Sequence, residues 1–128
     1  MFRFLLFVFV SVIFLNASAL TEAFKEAKKN KKLILVEISK KNCPYCIALD
    51  REVFQNPKLL QKITQNYIIV KLQREKDEIP SFLQVKFYPT TYLLKSDGTI
   101  VDEIPGYIKS SDFSEFIEEV YRQEKKFL

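Results

Sequence analysis

The sequence has no histidine and no tryptophan, two cysteines, two glycines and one methionine. Without histidine there is no Ser-His-Asp or Cys-His catalysis and no His-ligated metal. Two thiols cannot complete a four-thiolate zinc or iron–sulfur site within one chain. Gly98 and Gly106 are too few and too far downstream to build a phosphate-cradling loop or a dinucleotide fingerprint. Charge excludes less. Lys and Arg number 20 against 16 Asp and Glu, a net +4, and so small a surplus spread along the chain does not call for nucleic acid. With 48% hydrophobic residues in 128, the chain suits one globular domain rather than a disordered tail. The chemistry that remains open lies in the cysteine pair.

The N-terminus bears on compartment. Arg3 gives a short positive start, Phe4 to Leu15 is apolar apart from Ser11, and Asn16-Ala17-Ser18-Ala19 has the small-x-small form of a cleavage site. The apolar run falls short of the ~20 residues a membrane-crossing helix needs. The expectation is a signal peptide over residues 1–19, a folded domain over 20–128, and export to an oxidising space, the periplasm in a bacterial cell. An uncleaved anchor is the competing reading.

Beyond the leader, helical and strand-like segments alternate without a linker. Thr21 is placed to cap a helix running to about Lys29, with acids early and lysines late. Leu33 to Ile38 is a nearly continuous apolar run, as in a strand covered on both faces. A helix is expected near Cys43 with Pro44 in its first turn and Cys46, Leu49 and Val53 on one side. Asn56-Pro57 restarts a helix that buries Leu59, Leu60 and Ile63. Tyr67 to Leu72 reads as a strand, Gln73 to Glu78 as an ordinary solvated loop, and Thr90 to Lys95 with Thr99 to Ile104 as a hairpin turning at Ser96-Asp97-Gly98. A last helix begins near Ser111 or Asp112, carries Phe113, Phe116, Ile117, Val120 and Tyr121 on one stripe, and frays over Gln123 to Lys126. This order implies an α/β fold with a mixed sheet between helices.

Cys43-Pro44-Tyr45-Cys46 stands where a strand gives way to a helix. A thiolate is the reactive form, and an isolated cysteine ionises near a pH of ~8.5. Unpaired N–H groups and the dipole at a helix start favour the anion, and Lys40 and Lys41 push weakly the same way. Two intervening residues allow Cys46 to close a disulfide with Cys43. So short a loop gains little chain entropy, which makes a purely structural bridge a poor use of the bond. Inert bridging and half of an intermolecular zinc site stay open as alternatives.

Three separated features resemble the thioredoxin superfamily across Thr21 to Arg122. They are the Cys43-Pro44-Tyr45-Cys46 motif after the strand, Tyr88-Pro89-Thr90 opening the third strand, and Glu37 six residues before Cys43. The stretch Ala23 to Lys32 is similar to exported bacterial thioredoxin-like proteins. The resemblance implies a four-stranded mixed sheet sandwiched by helices with an extra N-terminal helix. It also implies a cis peptide bond before Pro89, which frees the backbone of Tyr88 to pair with an extended substrate. Glu37 would then be a buried acid beneath Cys46, its ionisation disfavoured by desolvation; on strand periodicity alone it could equally face solvent. The Pro-Tyr pair is of the glutaredoxin type, yet Tyr88 stands where that group has Val and no Gly-Gly pair follows, so a glutathione site is unsupported. Asn42 stands where thioredoxins carry Trp.

The function implied is a thiol–disulfide oxidoreductase of the protein-disulfide reductase type with no cofactor. Cys43 and Cys46 would be catalytic with Glu37, and Tyr88, Pro89, Pro44 and Tyr45 would contact substrate. Disulfide-containing exported proteins and a membrane-embedded thiol donor would be its partners. A strong oxidant of this superfamily generally carries an inserted helical domain, for which this chain has no spare residues. The alternative is a non-catalytic thioredoxin-like binding module for exported clients.

Overall fold

A computed structural model describes residues 18–128. The expected leader therefore lies outside the described residues except for its last two positions. Helix α1 (Ala19–Asn30) starts two residues before Thr21, because Ser18 is the cap and its hydroxyl accepts the Thr21 N–H. A cap satisfies donors two or three residues ahead, and the earlier start buries Leu20 together with Ala23 and Ala27. Strand β1 (Leu33–Ser39) follows, then helix α2 (Pro44–Leu49), which continues into a wider π-helical turn over Asp50–Phe54. Helix α3 (Pro57–Asn66) is capped by the Asn56 side chain, and it buries Leu59 and Ile63 while Leu60 is only half-buried. Strands β2 (Tyr67–Gln73), β3 (Thr90–Leu94) and β4 (Ile100–Pro105) precede helix α4 (Ser110–Glu124).

The sheet has the order β2-β1-β3-β4, parallel between β1 and β2 and antiparallel elsewhere. β1 is thus central and buried on both faces, which explains why it reads as an uninterrupted apolar run. Its alternate side chains feed two cores. Leu33 and Leu35 join Leu49, Val53, Phe54, Leu59, Ile63, Leu93, Phe113 and Ile117 beneath α2, α3 and α4. Ile34, Val36 and Ile38 join Leu20, Ala23, Ala27, Val70, Tyr92 and Leu94 beneath α1. On that second face Leu83, with Ile79 and Val85, seals the layer from the irregular segment between β2 and β3.

The β3–β4 hairpin turns at Gly98 with φ +90°, a conformation glycine adopts without a Cβ penalty. Lys95 N–H bonds the Thr99 carbonyl across the turn and a register shift falls at Leu93/Leu94, so regular pairing resumes only at Ile100. The C-terminus departs from the expected fraying. α4 runs to Glu124, whose carboxylate pairs with Lys95 at 3.2 Å, and a 3₁₀ turn (Lys125–Phe127) brings Leu128 against the core.

Phe113 is fully buried and meets Phe54 edge-to-face with ring centroids 6.2 Å apart. Phe113→Ala should therefore destabilise the fold by about 3–5 kcal/mol in denaturant unfolding, the range for emptying an aromatic site. A loss below about 1 kcal/mol would show that α4 does not pack as described.

Candidate active site

The C-terminal end of β1 delivers the chain to the cysteines. Asn42 takes a left-handed conformation, φ +56°, which asparagine tolerates better than most residues and which turns the chain into α2. Cys43 caps that helix. Its sulfur accepts the Cys46 N–H at 3.2 Å, and Pro44 occupies the first turn, where a missing N–H leaves nothing unpaired. The two cysteines form a disulfide with Cα atoms 5.2 Å apart. Cys43 is 4% exposed and Cys46 7%. The Tyr88-Pro89 bond is cis, and the Tyr88 carbonyl oxygen lies 3.7 Å from the Cys43 sulfur. Pro89 is buried, and its own carbonyl accepts the Gly106 N–H at 2.7 Å.

Glu37 points to the α2 side of the sheet, since it shares its face with Leu33 and Leu35. Its register partners are Lys71 on β2 and Thr91 on β3. It is 2% exposed, and burial pushes its carboxyl up to about 7 against the pull of the nearby Lys71 ammonium, with the Asp50 charge adding to the rise. Lys71 pairs with Asp50 and lies 5.0 Å from the centroid of the Phe54 ring. Burial opposes ionisation of Asp50, but hydrogen bonds from Lys71 and from Gln55 Nε2, the latter 2.6 Å long, hold its carboxyl below the ordinary range. Glu37, Cys43, Cys46, Asp50 and Lys71 all line one cavity of about 410 Å³. The structure thus brings a buried acid and the thiol pair to a single space.

Outside this cavity the rim is aromatic and exposed. Tyr45 is 64% exposed and stacks on Tyr107 with centroids 5.9 Å apart; the Tyr107 hydroxyl donates to Glu52 on the π turn. Pro44 and Ile47 are exposed beside it, as is Phe87 one residue before Tyr88. Lys40 and Arg74 flank the Tyr88 ring. The segment after β2 is more than a solvated loop: Glu75 accepts the Lys41 N–H at 2.9 Å and Arg74 N–H bonds the Ser39 carbonyl at 2.9 Å. These bonds brace the approach to Cys43 from a segment more than thirty residues downstream.

Sequence reasoning passed over Asp50, Lys71, Glu75 and Tyr107. Asp50 carried a signal, because it lies four residues after Cys46 on the same helical face. Lys71 interrupts an apolar strand as Glu37 does. Glu75 and Tyr107 left no local trace.

A sequence profile described as a thioredoxin-like domain matches residues 20–121. The chain belongs to the thioredoxin-like family. Solved structures share its fold: a thioredoxin-fold protein from Helicobacter pylori is 20% identical, with a TM-score of 0.66 over 85% of this chain and 83% of that one. The reduced periplasmic thioredoxin SoxS from Paracoccus pantotrophus is 23% identical, with a TM-score of 0.58 over 72% of this chain and 98% of its own. The oxidoreductase DsbH is 13% identical, with a TM-score of 0.61 over 79% and 80% of the two chains. Among curated proteins, mouse spermatogenesis-associated protein 20 is 34% identical over 55 residues, 43% of this chain and 7% of that protein. The chain spans less than a tenth of the length of the curated relatives it matches. In this thioredoxin-like domain, as the sequence implied, four mixed strands lie between helices and the N-terminal helix covers the α1 face.

The position of Glu37 has a measurable consequence. The unfolded chain ionises it near 4.5 and the folded oxidised domain near 7. Between those values the native state holds a proton that the unfolded state has lost, so this group's effect is to lower stability as pH rises through that window, with no further change above it. Glu37→Gln removes the effect. Its stability relative to wild type should rise by up to about 3 kcal/mol between pH 4.5 and 7.5 in parallel denaturant titrations. A difference independent of pH would mean that the carboxyl ionises normally in the folded domain.

Proposed function

We propose that this domain is an exported thiol–disulfide oxidoreductase that reduces disulfides in protein substrates. The observation that carries the reading is the Cys43 sulfur at the helix start, bonded to the Cys46 N–H and facing the Tyr88 carbonyl, with a buried carboxyl in the cavity behind it. An N–H donor stabilises a thiolate at Cys43 when the disulfide opens. That thiolate attacks one sulfur of a substrate disulfide; the other sulfur leaves with the electron pair of the broken bond and takes a proton from solvent. Cys46 then loses its proton to the Glu37 carboxylate and attacks Cys43. The second substrate sulfur departs as a thiolate, and the 43–46 disulfide re-forms. The substrate gains two electrons from the domain; its two thiolates take their protons from solvent, and Glu37 returns the Cys46 proton to solvent. A dithiol donor, expected in the membrane, restores the reduced pair. An acid near 7 suits a proton acceptor working at neutral pH.

The free backbone beside Pro89 and the exposed Pro44, Tyr45, Ile47 and Phe87 fit an extended, partly apolar peptide laid across the cysteines. Export rests on the apolar leader, and the SoxS neighbour being a periplasmic thioredoxin supports it. Among the described residues no helix is long and apolar enough to cross a membrane.

Insulin reduction driven by a small dithiol tests the activity. Wild type should accelerate precipitation of the insulin B chain, and Cys43→Ser should return the rate to that of the dithiol alone. Cys46→Ala should accumulate mixed disulfides through Cys43 that a reducing gel dissolves. Equal activity of wild type and Cys43→Ser would leave only the alternative, a client-binding module without turnover.

A further inference from the structure

Between Lys71 and the two carboxyls near it the structure has made a choice. Lys71 stands directly beside Glu37 in the β1–β2 register, yet its ammonium pairs with Asp50, and among the described residues Glu37 has no ion-pair partner. The choice is built by the π turn. Gln55 N–H closes back on the Asp50 carbonyl at 2.8 Å, and this wide turn brings the two side chains together. Gln55 Nε2 then fixes one Asp50 oxygen at 2.6 Å and leaves the other for Lys71, whose ammonium also lies over the Phe54 ring. Asp50 is therefore held from one side and holds from the other.

We propose that Asp50 is a positioning residue for the resolving step: it anchors Lys71 away from the Glu37 carboxyl, which keeps Glu37 free to take the proton of Cys46. The proposal rests on the function assigned above. It adds no bond-making step; it determines how strong a base Glu37 is when Cys46 ionises. Freed from Asp50, the Lys71 ammonium has Glu37 as its nearest carboxyl across the strand pair. A cation at contact distance lowers a carboxyl's affinity for its proton, and a weaker base accepts the thiol proton more slowly.

The remaining charged groups facing this space are Lys40 and Lys41 from the loop after β1 and Arg51 from the π turn. On β3 the register partner of Glu37 is the uncharged Thr91, whose buried hydroxyl has no hydrogen-bond partner, and α2 contributes the two cysteines to the cavity. None of the three other cations pairs with Glu37. Burial pushes the Glu37 carboxyl up, Lys71 draws it down and the Asp50 charge itself pushes it up, so anchoring of Lys71 has to be separated from that direct charge effect by removing Lys71.

The test follows the Glu37 carboxyl by ¹³C NMR in the oxidised full domain, as wild type, Asp50→Asn, Lys71→Met and the double variant. Asp50→Asn should lower the midpoint by about one pH unit or more, the lower end of the effect of a newly contacting cation. In the Lys71→Met background the same substitution should lower it far less. Gln55→Ala changes no charge and should move the midpoint in the same direction by a smaller amount, which also covers an Asp50→Asn variant that folds poorly. In stopped-flow resolution of the mixed disulfide, the acid limb of the rate should move down with the NMR midpoint, and the rate at pH 7 should fall. An equal shift with and without Lys71 overturns the proposal, since Asp50 would then act as a bare charge; no shift overturns it also. The NMR cycle needs no turnover. A wild type inactive on insulin would refute the proposed function while the midpoints still judged the role of Asp50.

Discussion

A carboxyl group sealed inside a sheet, beneath a pair of thiols, is the constraint to which the rest of this molecule answers. Glu37 lies on the central strand, where every neighbour except Ser39 is buried. Leaving a carboxyl there costs desolvation free energy, which the fold lessens by keeping the group protonated until pH nears 7. A tighter ion pair would have stabilised the charged form and the fold with it, but would have left Glu37 a poor proton acceptor. The structure instead gives the available ammonium to Asp50.

The elements around Glu37 can be read as solutions to that arrangement. β1 must be central so that its odd-numbered positions reach the α2 layer. α2 must begin abruptly, which the left-handed Asn42 and first-turn Pro44 achieve, so that Cys43 meets the helix start and Cys46 faces inward. The helix then widens at Asp50, and the extra residue in that turn places Asp50 above Lys71 and Glu52 near Tyr107. One local irregularity thus serves both the inner cavity and the outer aromatic rim. The segment between β2 and β3 has no regular structure, yet it closes the α1 face with Leu83 and steadies the Cys43 approach through Glu75. Few buried apolar groups and many backbone-to-side-chain bonds fit a segment whose task is positioning rather than core formation.

Much of this was legible because it depends on neighbours along the chain. Helix caps, the proline at the first turn, the hairpin glycine and the stripe on α4 are local matters, and the segments they delimit were placed within a few residues. The misplacements have different causes. Ser18 displaced Thr21 as a cap, and Lys95 with Leu128 held an end expected to fray. In the second case partners distant in sequence decided where a helix stops. Glu75 was read as solvated for the same reason, since its partner, the Lys41 N–H, lies far upstream.

The residues alone narrowed the chemistry: without histidine, and with two cysteines spaced for one helical turn, the thiol pair was the place for it, with an inert bridge and half of a zinc site still open, and resemblance supplied the frame to hold it. They could not determine which way Glu37 faces, because alternation along a strand is symmetrical until something covers one side of it. Nor could they assign Lys71 to one of its two neighbouring carboxyls. Both outcomes were decided by tertiary structure, since burial and ion pairing depend on what surrounds a group in space, and in a folded sheet those surroundings come from strands and helices that no local pattern brings together.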